Sequence, residues 1–233
     1  MTVEEFIARY YPSGLMPGGE PLPGRREEFN RRNSVYLCHG IRPDLLFIGD
    51  SIIDWWEIQA YFQKYGHCVN RGIGGEVTEE LCLRFGQDCI DLHPRYAVVL
   101  EGINDIGKAW RESKEKGFPA GWQTDCEKKI LSNFVAILQM TKEASLPLGI
   151  CSVLPIGCRD ERNEVILSLN EQLKPLAASY GADYIDLYAE VVDESGLLLL
   201  KNVHFGDELH PHVAGYDRMA KAVERTLDHV FSR

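Results

Sequence analysis

The chain has 233 residues, 45% of them hydrophobic and 26% charged, which is enough apolar material for a sizeable core. A formal net charge of -10 and a pI near 5.2 argue against the basic footprint of a nucleic-acid binder and against stable association with an anionic membrane. Seven cysteines form an odd set with no C-x-x-C pair, which fits reduced, mostly buried thiols better than a disulfide framework.

The first eleven residues carry acids where a secretory signal has a basic stretch, and no long apolar run follows, so a cytoplasmic protein is expected. The longest aliphatic run, residues 197–200, is far too short to span a bilayer. With no linker in view, one domain over 1–233 is expected, with 1–43 packed on it as a helical and loop extension. Residues 2–10 read as a short helix stopped at Pro12, 13–24 as a Gly/Pro-rich loop and 25–37 as a polar surface helix.

Residues 44–49 are a short apolar run bounded by Arg42-Pro43 and Gly49-Asp50, the pattern of a buried central strand in a parallel sheet. Ser51 follows it directly. A helix is expected over 52–64 and a short strand at 68–70. Next comes a glycine-rich turn, Gly72 to Gly75, that runs into a helix with Leu81, Cys82, Phe85 and Cys89 at helical spacing. The third strand, 96–100, ends at Glu101-Gly-Ile-Asn-Asp105, and 106–123 read as an irregular excursion holding Trp110, Phe118 and Trp122. Thr124-Asp-Cys-Glu127 has the form of a capping box opening a helix to about 144. A strand at 148–153, a helix at 160–180, a strand at 184–187 and a last helix from near Pro211 to 231 complete the pattern. Strands alternating with helices predict a doubly wound α/β fold with a five-stranded parallel sheet.

Four polar loops thus stand where strands end or the last helix begins: Asp50-Ser51, Gly72 to Gly75, Gly102 to Asp105, and Asp207 to His210. Acyl transfer requires a nucleophile, a base, a group that orients the base, and donors aimed at the developing oxyanion. Ser51 can serve as nucleophile, His210 as base and Asp207 as its orienting carboxylate. Gly75 and Asn104 can supply oxyanion donors, through an amide N–H and a side-chain amide.

In sequence order, Gly49-Asp50-Ser51, Asn70-x-Gly72-x-Gly74-Gly75, Gly102-x-Asn104-Asp105 and Asp207-x-x-His210-Pro211 resemble the four blocks of the SGNH hydrolase superfamily, the GDSL esterase/lipase family. The resemblance implies a flavodoxin-like three-layer α/β/α sandwich and a serine esterase needing neither metal nor cofactor. It implies an oxyanion hole from Ser51, Gly75 and Asn104, with Gly75 chosen because it precedes Glu76-Val77-Thr78. Two departures stand out. Ile53 replaces a small hydroxyl residue, and Glu101 replaces an apolar one and is expected to face solvent, the alternative being that it biases the pocket against anionic substrates.

Other readings compete locally. The Gly72 to Gly75 turn could cradle a phosphate, but it lacks the P-loop pattern. His204, Asp207, His210 and His212 could ligate zinc or manganese, although such a site would not require Ser51 or Asn104. The fold could also serve a non-catalytic binding module. Asp50, Trp55 and Trp110 are the expected substrate contacts. Of Trp55 and Trp56, one belongs to the core and the other to the pocket wall, and Trp110, Phe118 and Trp122 are candidates for a flap. The expected substrate is a small acyl ester, with O-acetyl groups on carbohydrates foremost and a lysophospholipase or thioesterase acting on longer chains as the alternative.

Overall fold

The apolar runs become five strands, β1 (Leu45–Gly49), β2 (Cys68–Gly72), β3 (Tyr96–Leu100), β4 (Leu148–Cys151) and β5 (Asp183–Ile185). In this computed structural model, which describes residues 23–197 and 199–232, they form one all-parallel sheet in the order β2-β1-β3-β4-β5. Every residue of β1, β3 and β4 is buried, as expected of strands covered on both faces. The strand order changes direction at β1, so the crevice beyond the carboxyl ends of β1 and β3 is where a ligand site is expected.

The longer helices are α1 (Pro23–His39), α4 (Thr78–Asp88), α5 (Ile103–Glu115), α6 (Trp122–Glu143), α7 (Glu161–Tyr180) and α9 (Val213–Phe231). The short ones are α2 (Ser51–Asp54), α3 (Ile58–Phe62) and α8 (Tyr188–Val191). Helices α4, α6 and α7 pack side by side as one layer. On the other face, the Trp56 ring stacks on Tyr216 of α9 at 5.1 Å, and Tyr65 meets Phe231 at 5.3 Å. The expected α/β/α sandwich is the observed fold.

Several boundaries differ from expectation, each for a packing reason. The helix expected over 52–64 breaks into α2, α3 and a 3-10 turn. The break turns Trp56 into the core, where it is 1% exposed, while Trp55 stays 50% exposed. The side-chain amide of Asn70 holds the break by donating to the carbonyls of Ile53 (2.6 Å) and Trp56 (2.9 Å). The excursion at 106–123 is instead mostly helix α5, whose Ile103 and Ile106 are buried and whose Trp110 is half-buried on the same side. Helix α6 begins at Trp122, after Gly121 in the left-handed region, so the expected capping box at Thr124 lies inside the helix. Burial of Trp122 draws the start forward.

The region read as a polar surface helix, α1, buries one face. Arg26 pairs with Asp88, Asn33 donates to Asp88 at 2.7 Å, and the Arg71 guanidinium donates to Asn33 Oδ1 at 2.9 Å. Polar composition masked this face, because apart from Phe29 its buried members, Arg26, Asn30 and Asn33, are charged and amide groups engaged by polar side chains of other elements. The expected helix at 2–10 and the loop up to residue 22 lie outside the described residues.

Candidate active site

Gly49 sets the geometry at the sheet's end. A Cβ there would fall 1.8 Å from the Leu100 carbonyl oxygen, so only glycine lets the ends of β1 and β3 come this close. The chain then turns into α2, with Asp50 as its N-cap accepting from the Ile52 N–H at 2.8 Å. Ser51 is thereby the first residue of a helix, where an amide has no intrahelical acceptor.

Opposite stands the loop from Val203 to His212, pinned by a bridge between His204 and Pro211 and by the Phe205 N–H donating to the His210 carbonyl at 3.0 Å. Within it, Asp207 Oδ1 accepts from the Leu209 and His210 amides at 3.0 and 2.9 Å, which folds the Asp-x-x-His turn tightly. Asp207 Oδ2 lies 2.5 Å from His210 Nδ1, and His210 Nε2 lies 2.8 Å from Ser51 Oγ. Residues 156 positions apart in sequence therefore form one chain of hydrogen bonds. Burial alone would raise the Asp207 carboxyl. The His210 amide and imidazole and the Leu209 amide outweigh it and hold the carboxyl below the usual range.

The glycine-rich turn crosses beside Ser51. A Cβ at Gly74 would lie 3.7 Å from Ser51 Cβ, whereas the space around Gly75, which has φ of +80°, is open. Asn104, at the start of α5, donates from its side chain to the Glu76 carbonyl at 2.9 Å and so is fixed to the same turn. Asp105 reinforces this link by accepting from the Thr78 N–H (2.9 Å) and hydroxyl (2.7 Å). Beneath the turn, Arg84 is clamped between Glu76 and Asp88 and reaches the Gly49 carbonyl at 3.3 Å.

Of the expected substrate contacts, Trp55 stands at the site, its ring stacked on His210 at 4.1 Å. Asp50 does not: it is 1% exposed, its carboxylate consumed in part by the helix cap. Trp110 donates to Glu161 and lies under the Arg162 guanidinium, contacts that tie it to the start of α7. Glu101, expected in solvent, is completely buried. Apolar strand residues precede it, and the turn at Gly102 folds it inward with the strand.

The histidines of the metal reading are engaged otherwise. His204 Nδ1 accepts from the Gly206 and Glu208 amides, and His212 caps α9 through the Ala214 N–H. Among the described residues, no group of three or more His, Cys, Asp or Glu is arranged to hold a metal ion. Sequence reasoning missed Phe205, which is 66% exposed and meets the edge of Trp55, and the bracing roles of Asn70 and Arg84. An exposed aromatic beside a catalytic-type loop could have flagged Phe205. Arg84 has an i,i+4 acidic partner in Asp88, a pairing that reads as an ordinary surface helix pair, and only the approach to the Gly49 carbonyl comes from a distant segment.

Comparison with known proteins bears on the family and the fold. The sequence pattern of the GDSL-like lipase/acylhydrolase family matches residues 47–218. An acetylxylan esterase of Geobacillus stearothermophilus is 25% identical over 218 residues, covering 78% of this chain and 93% of the relative. The platelet-activating factor acetylhydrolase IB subunit alpha2 of Rattus norvegicus is 22% identical over 228 residues, covering 93% of this chain and 90% of the relative. The crystal structure of a GDSL-like lipase from Bacteroides thetaiotaomicron superposes with a TM-score of 0.67 at 22% identity, over 85% of this chain and 97% of that one, a likeness of fold.

Proposed function

The chain belongs to the GDSL-like lipase/acylhydrolase family, and we propose that within it the protein is a serine esterase that removes short acyl groups, foremost O-acetyl groups, from carbohydrates or similar small alcohols. The observation that carries the reading is the hydrogen-bonded series Ser51 Oγ, His210 Nε2, His210 Nδ1, Asp207 Oδ2, at 2.8 and 2.5 Å. It has the connectivity that general-base activation of a serine requires.

In this mechanism Ser51 Oγ attacks the ester carbonyl carbon while His210 Nε2 takes its proton. Asp207 holds the imidazole by Nδ1 and stabilises the imidazolium that forms. The carbonyl oxygen, now negative, is met by the Ser51 and Gly75 amides and the Asn104 side chain. Donors of this kind are each worth roughly 3–4 kcal/mol in the transition state. Collapse breaks the bond to the alcohol oxygen, which leaves with the proton from His210. Water, deprotonated by His210, then attacks the acyl-enzyme, and the acid departs as Ser51 regains its proton.

Two observations support a small acyl group on a ring-bearing alcohol. The acetylxylan esterase and the platelet-activating factor acetylhydrolase subunit share acetyl in their names but differ in the alcohol. The exposed faces of Trp55 and Phe205 beside His210 form an aromatic corner on which a sugar ring can stack. The test is a series of p-nitrophenyl esters run beside acetylated sugars. Acetyl is expected to be the preferred acyl group, with acetate released from the sugars. A preference for octanoyl or longer chains would replace this reading with the lysophospholipase or thioesterase one.

A further inference from the structure

Two buried carboxyls outside the relay stand at the junction of β1 and β3. Gly49 and Leu100 are paired in register at the strand ends, and Asp50 and Glu101 are the residues that follow. The Asp50 N–H donates to the Leu100 carbonyl at 3.3 Å, which keeps the two chains together one step beyond the sheet. Asp50 is 1% exposed and Glu101 is fully buried.

Each carboxyl is half satisfied in the same way. Asp50 Oδ1 accepts from the Ile52 N–H and Glu101 Oε1 from the Gly102 N–H at 3.2 Å. Asp50 Oδ2 and Glu101 Oε2 are buried and meet no donor among the described residues. Two orphan acceptors on adjacent buried acids violate the rule that buried polar atoms are paired, unless one of them carries a hydrogen.

Resting on the esterase reading above, we infer that Asp50 and Glu101 share one proton at the pH where the enzyme works, and that this bridge positions the Ser51 turn against the turn bearing Asn104. Adjacent carboxylates in a buried site cannot both ionise without strong repulsion. A shared O–H···O⁻ bond satisfies both orphan oxygens and leaves one negative charge where two would stand.

Among the described residues, the surroundings do not supply a cation. Glu76 faces the pair and is ion-paired with Arg84, whose guanidinium is spent on Glu76, Asp88 and the Gly49 carbonyl. Asp105 from α5 adds negative charge, and Tyr216 from α9 donates its hydroxyl to the Ile52 carbonyl. Burial pushes the Asp50 carboxyl up to about 7, against the Ile52 hydrogen bond and with the charges of Glu76 and Asp105 adding to it. Burial and then the charge of Asp50 drive Glu101 well above the carboxylate range.

The bridge has a role beyond stability. It joins the residue before the nucleophile to the residue before the Gly102 turn that sets Asn104. Loss of the last proton would force these two turns apart and put a second charge beneath the site of the developing oxyanion. Asp50 and Glu101 are positioning residues: neither is exposed to a substrate.

Infrared spectroscopy and a pH profile on wild type and Glu101→Gln test the inference. The glutamine supplies a permanent N–H donor to Asp50 in place of the shared proton. Near neutral pH, the wild-type minus variant spectrum is expected to show the C=O band of a protonated carboxyl that shifts in D₂O. The wild-type kcat/KM on p-nitrophenyl acetate is expected to fall about tenfold per pH unit on an alkaline limb that the variant lacks. Asp50→Asn provides the same spectral readout should Glu101→Gln fail to fold. Absence of the carboxyl band from wild type, or superimposable pH profiles, would overturn the inference. The spectrum requires no turnover, so an inactive protein that shows the band would contradict the esterase reading and leave the shared proton standing.

Discussion

The His210 imidazole lies against the Trp55 indole with ring centroids 4.1 Å apart and planes 29° apart, while Phe205 meets the same indole edge-on at 6.4 Å. One aromatic thus packs the base into line with Ser51 and offers its open face to whatever enters. Trp55→Ala is expected to raise KM for an acetylated sugar by roughly 3- to 10-fold, the range of a lost aromatic contact of about 0.5–1.5 kcal/mol. Its effect on p-nitrophenyl acetate, whose leaving group is not a sugar, is expected to lie mainly in kcat through a less well-held imidazole. Steady-state kinetics on both esters measure the split.

The Asp207 side chain is 43% exposed, so its replacement tests chemistry with little disturbance of core packing. Asp207→Asn keeps the shape but no longer offers an anion to His210 Nδ1. A fall in kcat of about 10²–10⁴-fold is expected, with only a small fall in the urea midpoint at neutral pH, where the depressed carboxyl contributes some stability. Parallel kinetics and denaturation separate the two effects.

The clamp beneath the glycine-rich turn makes the opposite prediction. Arg84 is 2% exposed and compensates Glu76 and Asp88, both buried. Arg84→Leu would leave these acids without their cation, and a loss of about 3–5 kcal/mol in unfolding free energy is expected. Because the Glu76 carbonyl holds Asn104, the activity of the folded fraction should fall as well. Urea titration read by circular dichroism gives the first quantity and active-site titration the second.

Stability should also fall as pH rises through a defined window. The Asp50 carboxyl, raised from 3.8 to about 7 chiefly by burial, binds a proton on folding at pH values between these limits. The folded state then holds more protons than the unfolded one, so this group's contribution is full below 3.8 and is lost as pH approaches about 7. Asp50→Asn is expected to flatten that part of the curve, measured as the urea midpoint against pH.

The sheet and the relay were legible in the sequence because each rests on a local signal. Short apolar runs ended near Gly49 or Gly102 specify buried parallel strands, and Asp207-x-x-His210 is a turn whose spacing brings both side chains to one side. What escaped depends on contacts between distant segments. Trp55 and Trp56 are chemically alike, and only the grip of Asn70 on the Ile53 and Trp56 carbonyls decides which turns inward. Glu101 reads as a solvent residue until its register with Asp50 places it at a covered strand end. Helix α5 was obscured by Gly107 and the charges around Trp110, although Ile103 and Ile106 had the spacing of a buried helical face.

Hydrolysis of p-nitrophenyl acetate by wild type and Ser51→Ala, prepared side by side, is the most direct test of the central assignment. The geometry predicts measurable turnover by wild type and a loss of about 10³-fold or more in the variant, since the 2.8 Å contact with His210 Nε2 has no other nucleophile to activate. A Ser51→Ala protein that hydrolyses the ester at the wild-type rate would contradict it.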